Sequence, residues 1–279
     1  MRADQPASGG RLLVYRHPAF VRVAHWINAL SVAVLLLSGL QILCAHPAFY
    51  WGDVARFAHP AAAISSRQAD NGDPLGILTL GRFKFDTTGV LGVSKGPDDQ
   101  RQVRAFPRWA TLPAELDLGA GRRWHFFFAW LLALNGAAYL ALGLIGGRLK
   151  RELIPTGRQL AGVWATLRDH LRLRFPHGEE ARRYNVLQKL AYLSVVLGLL
   201  PLMVFTGLCM SPALDARFHV LTMLVGGRQS ARTLHFLAAG AIVMFALVHI
   251  GMVLAAGPLN QLRSMTTGWF ALKPDRTSS

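Results

Sequence analysis

Residues Thr233–Ala256 read TLHFLAAGAIVMFALVHIGMVLAA. The run contains no Asp, Glu, Lys or Arg. At about 1.5 Å rise per residue it is long enough, as a helix, to cross the roughly 30 Å apolar layer of a bilayer. Two histidines interrupt it, His235 and His249, fourteen residues apart. At about 100° per residue they return to nearly the same face, roughly 21 Å apart along the axis. An ionisable ring in hydrocarbon is costly, so an intramembrane histidine carries a functional expectation.

Three further stretches have the same character: Val23–Cys44, His125–Gly146 and Leu190–Cys209. Basic residues mark their edges, namely Arg22, Arg122, Arg123, Arg148, Lys189 and Arg232. The fold class expected is therefore an all-α membrane protein, a four-helix transmembrane bundle forming a single domain over residues 1–279. The first span is longer than the apolar region of a signal peptide, and no small-x-small site follows it, so it reads as uncleaved.

Composition agrees. The chain has 279 residues, 52% hydrophobic and 16% charged, with a net charge of +15. That apolar content excludes disorder, and two cysteines exclude a disulfide framework or a thiolate metal site. A basic chain can signal nucleic acid. Here the charge tracks the spans instead: residues 1–22, 147–189 and the C-terminal tail hold 17 Lys/Arg against 6 Asp/Glu. The other side, residues 45–124 and 210–232, holds 13 against 9. Positive residues favour the cytoplasm, so both termini are expected there, facing anionic lipid.

Two connections stand out. Residues 45–124 form a long outside insertion, expected to be a periplasmic cap with short strands around Ile77–Leu80 and Phe83–Asp86. Residues 147–189 form a cytoplasmic loop. In it Leu160, Val163, Trp164, Leu167 and Leu171 make one apolar helical stripe flanked by Arg158, Arg168, Arg172 and Arg174. Such a helix suits the headgroup layer, or an ordinary soluble surface.

Of ten histidines, six fall in loops or flanks: His17, His46, His59, His170, His177 and His219. The other four lie in the spans. Depth along the helices pairs His125 with His235 on the outer side and His25 with His249 on the cytoplasmic side. Two bis-histidine pairs suit two b-type haems. A zinc or copper site gathers three or four ligands in one place, and a proton relay calls for acidic residues that the spans lack. Plain interhelical hydrogen bonds are the bland alternative.

Arg22, Arg122 and Arg232 each precede a span histidine by three residues and share its face, as haem propionate partners or as snorkelling anchors. Gly136 and Gly143 return to the face of His125, and Gly39 to that of His25, leaving room for a flat macrocycle. Met203, Met244 and Met252 read as core fillers. Cys44 and Cys209 read as buried free thiols or as a disulfide. Pro201 is the one kink candidate.

The motifs Arg16-His17-Pro18, Arg22-x-x-His25-Trp26, Gly121-Arg122-Arg123-Trp124-His125, Asn185-x-x-Gln188-Lys189, and Arg232-x-x-His235 followed by His249 together resemble a known family. It is the bacterial di-haem cytochrome b561/Ni-hydrogenase group, which includes the membrane subunits of formate dehydrogenase, thiosulfate reductase and nickel–iron hydrogenase. The resemblance implies a four-helix haem bundle passing electrons between the quinone pool and a redox partner. It makes His25, His125, His235 and His249 the axial ligands, and it places quinone contacts at Asn185, Gln188 and His249. Lys189, at the same boundary, joins them as a candidate for a quinone carbonyl. Leu187 stands where formate-dehydrogenase-like members carry a small residue. The outer motifs His46-Pro47-x-x-Tyr50-Trp51-Gly52 and Phe106-Pro107-Arg108-Trp109 are similar to the thiosulfate-reductase branch, whose members work beside a periplasmic molybdopterin oxidoreductase. That branch implies a respiratory electron-transfer subunit of a bacterial inner membrane rather than a catalytic one.

Two other readings stay open. One is a stand-alone quinone-linked haem oxidase, for example of superoxide. The other is a non-redox scaffold or transporter, against which stand the absence of intramembrane carboxylates and of broken helices.

Overall fold

The computed structural model describes residues 5–7, 11–147, 154–172 and 185–272. Among the described residues four helices are long and apolar enough to cross a membrane: α1 (Ala19–Leu43), α2 (Leu118–Ile145), α5 (Val186–Cys209) and α8 (Arg228–Ala255). They start four to seven residues earlier than the apolar runs alone indicate, because polar and charged residues extend them at no cost outside hydrocarbon. Large apolar side chains face outward along them, among them Trp130, Leu134, Ile145, Leu247 and Leu254. Such a surface is unfavourable in water and neutral against acyl chains. Met244 belongs to this outward face, 62% exposed. It is not the core filler its composition implied.

Helix α5 is irregular. Residues Ser194–Leu199 form π-helical turns immediately before Pro201. Proline has no N–H and collides with the preceding turn, and a widened turn absorbs both defects.

The expectation of an all-α chain needs correction, since among the described residues nine strands accompany the helices. The chain divides into two compact units, and each long helix contributes a segment to both.

One unit comprises Met1–Asn28, Leu134–Pro201 and Gly240–Ser279. Its sheet is antiparallel, in the order β1 (Gln5–Ala7), β2 (Arg11–Tyr15), β9 (Trp269–Leu272). Strand β9 follows helix α9 (Pro258–Thr267). Asn260 of α9 pairs with the Ala271 backbone twice, accepting from its N–H and donating to its carbonyl, both at 2.9 Å. The last turn of α9 leaves carbonyls without helical partners. Arg22 donates to Thr266 O, and Trp26 Nε1 donates to Met265 O at 3.0 Å. Residues 154–172 form α3 (Gly157–Ala161) and α4 (Val163–Leu171), broken at Gly162. The single stripe drawn from the sequence is therefore two short helices. Leu160 and Trp164 are exposed and Val163 and Leu167 half-buried. Arg148, Arg174 and His177 lie outside the described residues.

The other unit comprises Ala29–Ala133 and Leu202–Ala239. Its insertion carries a four-stranded antiparallel sheet in sequence order: β3 (Ala48–Phe49), β4 (Ala62–Gln68), β5 (Pro74–Leu80) and β6 (Phe83–Asp86). A separate antiparallel hairpin is formed by β7 (Val93–Lys95) and β8 (Arg101–Val103). The β4–β5 turn runs through Asn71-Gly72, with Gly72 at φ 86°, a backbone state that favours glycine. Leu43 at the end of α1 packs with Phe49, Ala105 and Phe106 as the core of the insertion.

The insertion also grips the start of α8. The first N–H groups of a helix lack internal acceptors. Here Asp53 Oδ1 accepts from Arg228 N at 3.0 Å, and Gly52 O accepts from Gln229 N and Ser230 N at 3.1 Å. Thr233 Oγ1 donates to Tyr50 O at 2.7 Å. Gly227, at φ 104°, permits this approach: a Cβ there would lie 2.6 Å from Asp53 backbone atoms. Two short helices, α6 (Pro212–Arg217) and α7 (His219–Leu224), precede it. Cys44 and Cys209 are free thiols, and Cys209 Sγ lies 3.6 Å from Leu221 O.

Candidate functional site

Each unit brings two span histidines together. In the unit containing Ala29–Ala133, the rings of His125 (α2) and His235 (α8) have centroids 6.3 Å apart. In the other unit, those of His25 (α1) and His249 (α8) are 6.2 Å apart. Two imidazoles on opposite sides of one metal, with bonds of about 2.0 Å and roughly 1.1 Å from nitrogen to ring centre, have centroids about 6.2 Å apart. Both pairs have that separation.

The His125/His235 pair is held by a repeated device. Ser38 Oγ lies 3.1 Å from His125 Nδ1, and Thr206 Oγ1 lies 3.0 Å from His235 Nδ1. Each hydroxyl has one hydrogen, and each commits it to its own helix: Ser38 donates to Val34 O at 2.7 Å, Thr206 to Leu202 O at 2.6 Å. The hydroxyl oxygens therefore accept from Nδ1–H, which leaves Nε2 of both rings as the lone-pair nitrogen. Two facing lone pairs repel unless an electrophile sits between them. A glycine follows each hydroxyl. A Cβ on Gly39 would come within 3.3 Å of His125 Cε1, and one on Gly207 within 3.5 Å of His235 Cε1. Ser38 and Thr206 are fully buried. The arrangement fits an iron porphyrin with two axial imidazoles: opposed rings, fixed tautomers and backbone cleared of side chains.

The His25/His249 pair has different support. His249 stacks on Phe245 one turn earlier, at 5.8 Å and 15°, and His25 meets Trp26 edge-on at 5.3 Å. Among the described residues neither ring makes a hydrogen bond. Nearby, Asn135 Nδ2 donates to Asn28 Oδ1 at 2.7 Å and to Ala24 O at 2.9 Å. Gly136, assigned from spacing to the face of His125, belongs to this unit. A Cβ there would meet nothing within 4 Å. Gly39, assigned to His25, sits instead against His125.

The three arginines are placed differently. Arg232 donates to His46 O and lies 5.9 Å over the Phe49 ring. Arg22 donates to Thr266 O, while its buried Nε has no partner among the described residues. Arg122 lies over Phe126 of its own helix, 5.6 Å from the ring centre. Arg22 and Arg232 are thus half-buried cations without carboxylate partners among the described residues, Arg22 with a donor to spare.

Asn185 and Gln188 form the capping box of α5: Asn185 Oδ1 accepts from Gln188 N at 2.9 Å, and Gln188 Oε1 from Asn185 N at 3.2 Å. Their spacing satisfies a helix start, and the Gln188 amide hydrogens carry no bond among the described residues. Lys189 is buried and donates to Ile154 O at 3.3 Å and Gln159 Oε1 at 3.2 Å. It ties residues 154–159 to α5.

Beside Arg232, His46 Nε2 lies 3.2 Å from Tyr50 OH, with the two rings stacked at 5.8 Å. Burial, and then the Arg232 charge, hold the His46 pKa below its usual value. On α6 and α7, Asp215 Oδ1 and His219 Nδ1 are 2.9 Å apart. Hydrogen bonds from Thr222 and then His219 hold the Asp215 carboxyl below the usual carboxylate range.

Sequence reasoning passed over Ser38, Thr206, Asn28 and Asn135. The signal was present as polar side chains inside apolar spans. Small hydroxyls there are ordinary packing residues, and nothing local says which one meets a histidine.

A family profile described as prokaryotic cytochrome b561 matches residues 16–268. A curated relative from Azospira oryzae, described as the putative protein-methionine-sulfoxide reductase subunit YedZ1, is 29% identical over 237 residues. That alignment covers 85% of this chain and 89% of the relative. No solved structure matches the chain.

Proposed function

The chain belongs to the prokaryotic cytochrome b561 family, and we propose that it carries two haems b, one on each histidine pair, between the quinone pool and a periplasmic reductase. Membership makes it a membrane haem-b electron-transfer protein. The two histidine pairs, 6.2 and 6.3 Å between centroids, support the finer reading. Haem held by two imidazoles is six-coordinate and suits one-electron transfer over oxygen binding.

The chain's own residues have separable parts. His125 and His235 would hold one haem, His25 and His249 the other. Arg22 and Arg232 lie one helical turn from His25 and His235 and offer cationic partners for propionates. Arg122 offers a more exposed one. Quinone contacts fall to His249 and the Gln188 side-chain amide, with Asn185 holding Gln188 in place and Lys189 closing the boundary. The apolar outward faces keep water from the rings. The strand-bearing insertion of residues 45–124 faces the periplasm and receives the partner, and residues 147–189 and both termini face the cytoplasm.

The relative's description as a reductase subunit supports a partner that reduces oxidised methionine, with electrons leaving the quinol pool through this chain. A molybdopterin active site in that partner agrees with the resemblance of the outer loop. The test is a dithionite-minus-oxidised spectrum of the purified protein together with haem and protein quantitation. Two haems b per chain, reducible by quinol, are expected. Folded protein that binds no haem overturns the proposal.

A further inference from the structure

The four ring-bearing sites are not equivalent. On α1 the dipeptide Ser38-Gly39 faces His125, and on α5 the dipeptide Thr206-Gly207 faces His235. Each supplies a hydroxyl to Nδ1 and a side-chain-free backbone to the adjacent ring edge. Neither His25 nor His249 has an equivalent among the described residues.

Each hydroxyl is the middle of a short chain, ring N–H to hydroxyl oxygen, then hydroxyl hydrogen to the carbonyl one turn back. Donation to Val34 O and Leu202 O increases the negative charge on the hydroxyl oxygen and strengthens its acceptance from the ring, the usual cooperativity of linked hydrogen bonds. A ring that donates from Nδ1 becomes a stronger electron donor at Nε2. Stronger donation favours the ferric over the ferrous state, so the ligand's second hydrogen bond is a lever on reduction potential.

We propose that Ser38 and Thr206 are positioning residues that fix the tautomer of His125 and His235 and hold the potential of the haem on that pair below the value those ligands would give untethered. The haem on His25 and His249 does not carry this restraint, so the two sites are set apart in potential by hydroxyls on α1 and α5. This rests on the assignment of a haem to each pair.

The test is potentiometric titration of the haem-loaded full-length chain, with low-temperature EPR of the oxidised form. The variants are Ser38→Ala, Thr206→Val and the hydroxyl-retaining Ser38→Thr and Thr206→Ser. Ser31→Ala is the control, since Ser31 is equally buried on α1 but its hydroxyl has no hydrogen-bond partner among the described residues. Ser38→Ala and Thr206→Val should each raise one of the two midpoints and leave the other unchanged. The expected change is up to about tenfold in the oxidised-to-reduced ratio, or about 59 mV for one electron. The low-spin ferric signal of the same haem should move with it, and the hydroxyl-retaining variants should restore both.

Unchanged midpoints in Ser38→Ala and Thr206→Val with two haems retained overturn the inference. So does an equal shift in Ser31→Ala. If a variant loses one haem, Thr206→Ser and Ser38→Thr decide: retention supports the hydroxyl role, and loss there too overturns it. Wild-type protein without haem instead removes the assignment on which the inference rests.

Discussion

Asn135, in the middle of α2, donates its amide to the Asn28 side chain at 2.7 Å and to the carbonyl of Ala24, the residue before His25, at 2.9 Å. This is a polar clasp between two apolar helices, placed one turn from an axial-ligand candidate. Interhelical hydrogen bonds in membranes contribute about 0.6 kcal/mol on average and up to about 1.7. Asn135→Leu should therefore lower stability by about 1 kcal/mol and loosen His25. The expected readout is a haem-to-protein ratio falling from two towards one, with the remaining haem unchanged in spectrum. An unchanged ratio would show that the clasp serves helix association alone.

Single histidine replacements should separate the sites. His125→Ala and His235→Ala should each abolish the same haem and spare the other. His25→Ala and His249→Ala should do the converse. Pyridine haemochrome quantitation with redox titration reads the outcome. If His125→Ala and His249→Ala remove the same haem, the pairing is wrong.

His46 gives a pH dependence whose sign is fixed. Its folded pKa lies below the ordinary 6.5, from burial first and the Arg232 charge second. The unfolded chain thus binds the proton more readily than the folded one. The contribution is fully present above pH 6.5 and is lost as pH falls from there through the folded pKa. Wild-type protein should lose thermal stability between pH 7.5 and 5.5, and His46→Gln should lose measurably less. Equal losses in the two proteins would remove His46 as the source.

The capping box separates structure from chemistry at the start of α5. Asn185→Ala removes the acceptor for Gln188 N, a loss of about 1 kcal/mol for a typical N-cap, while Asn185→Ser should restore most of it. Gln188→Glu keeps the acceptor for Asn185 N but removes the side-chain NH2. It should alter quinol oxidation kinetics in membranes with little change in melting temperature. Melting and quinol oxidation that fall together in both variants would assign these residues to capping only.

Much of the helical frame was legible because hydrocarbon imposes a simple rule: long runs without charge. The depth argument from fourteen-residue spacing put His125 beside His235, and the rings do meet at 6.3 Å. What was not legible depends on contacts between helices. Gly39 shares a face with His25 by spacing yet lies against His125, since a face fixes direction and not the neighbour. Ser38 and Thr206 look like packing residues until a histidine on another helix is placed beside them. Asn185-x-x-Gln188 could be read as ligand contacts because a capping box has the same pattern. The strands escaped in part because the insertion's segments are short: only β5 and β6 were anticipated, and only the last four of the seven residues of β5.

The sheet that joins Arg11–Tyr15 to Trp269–Leu272 bears on the order in which the protein can be made. Synthesis runs from the N-terminus, so β2 leaves the ribosome some 250 residues before its partner. Strand β2, and the donors Arg22 and Trp26 that meet the end of α9, must wait until all four long helices have been inserted. Closing so long a loop is slow and comes last. A chain ending before Gly257 would keep all four span histidines and every long helix, yet leave the first helix with unfilled hydrogen bonds and β2 without β9. The final segment therefore acts as a latch on completed insertion, and a ribosome-stalled series ending on either side of it would show when the first helix becomes protease-resistant.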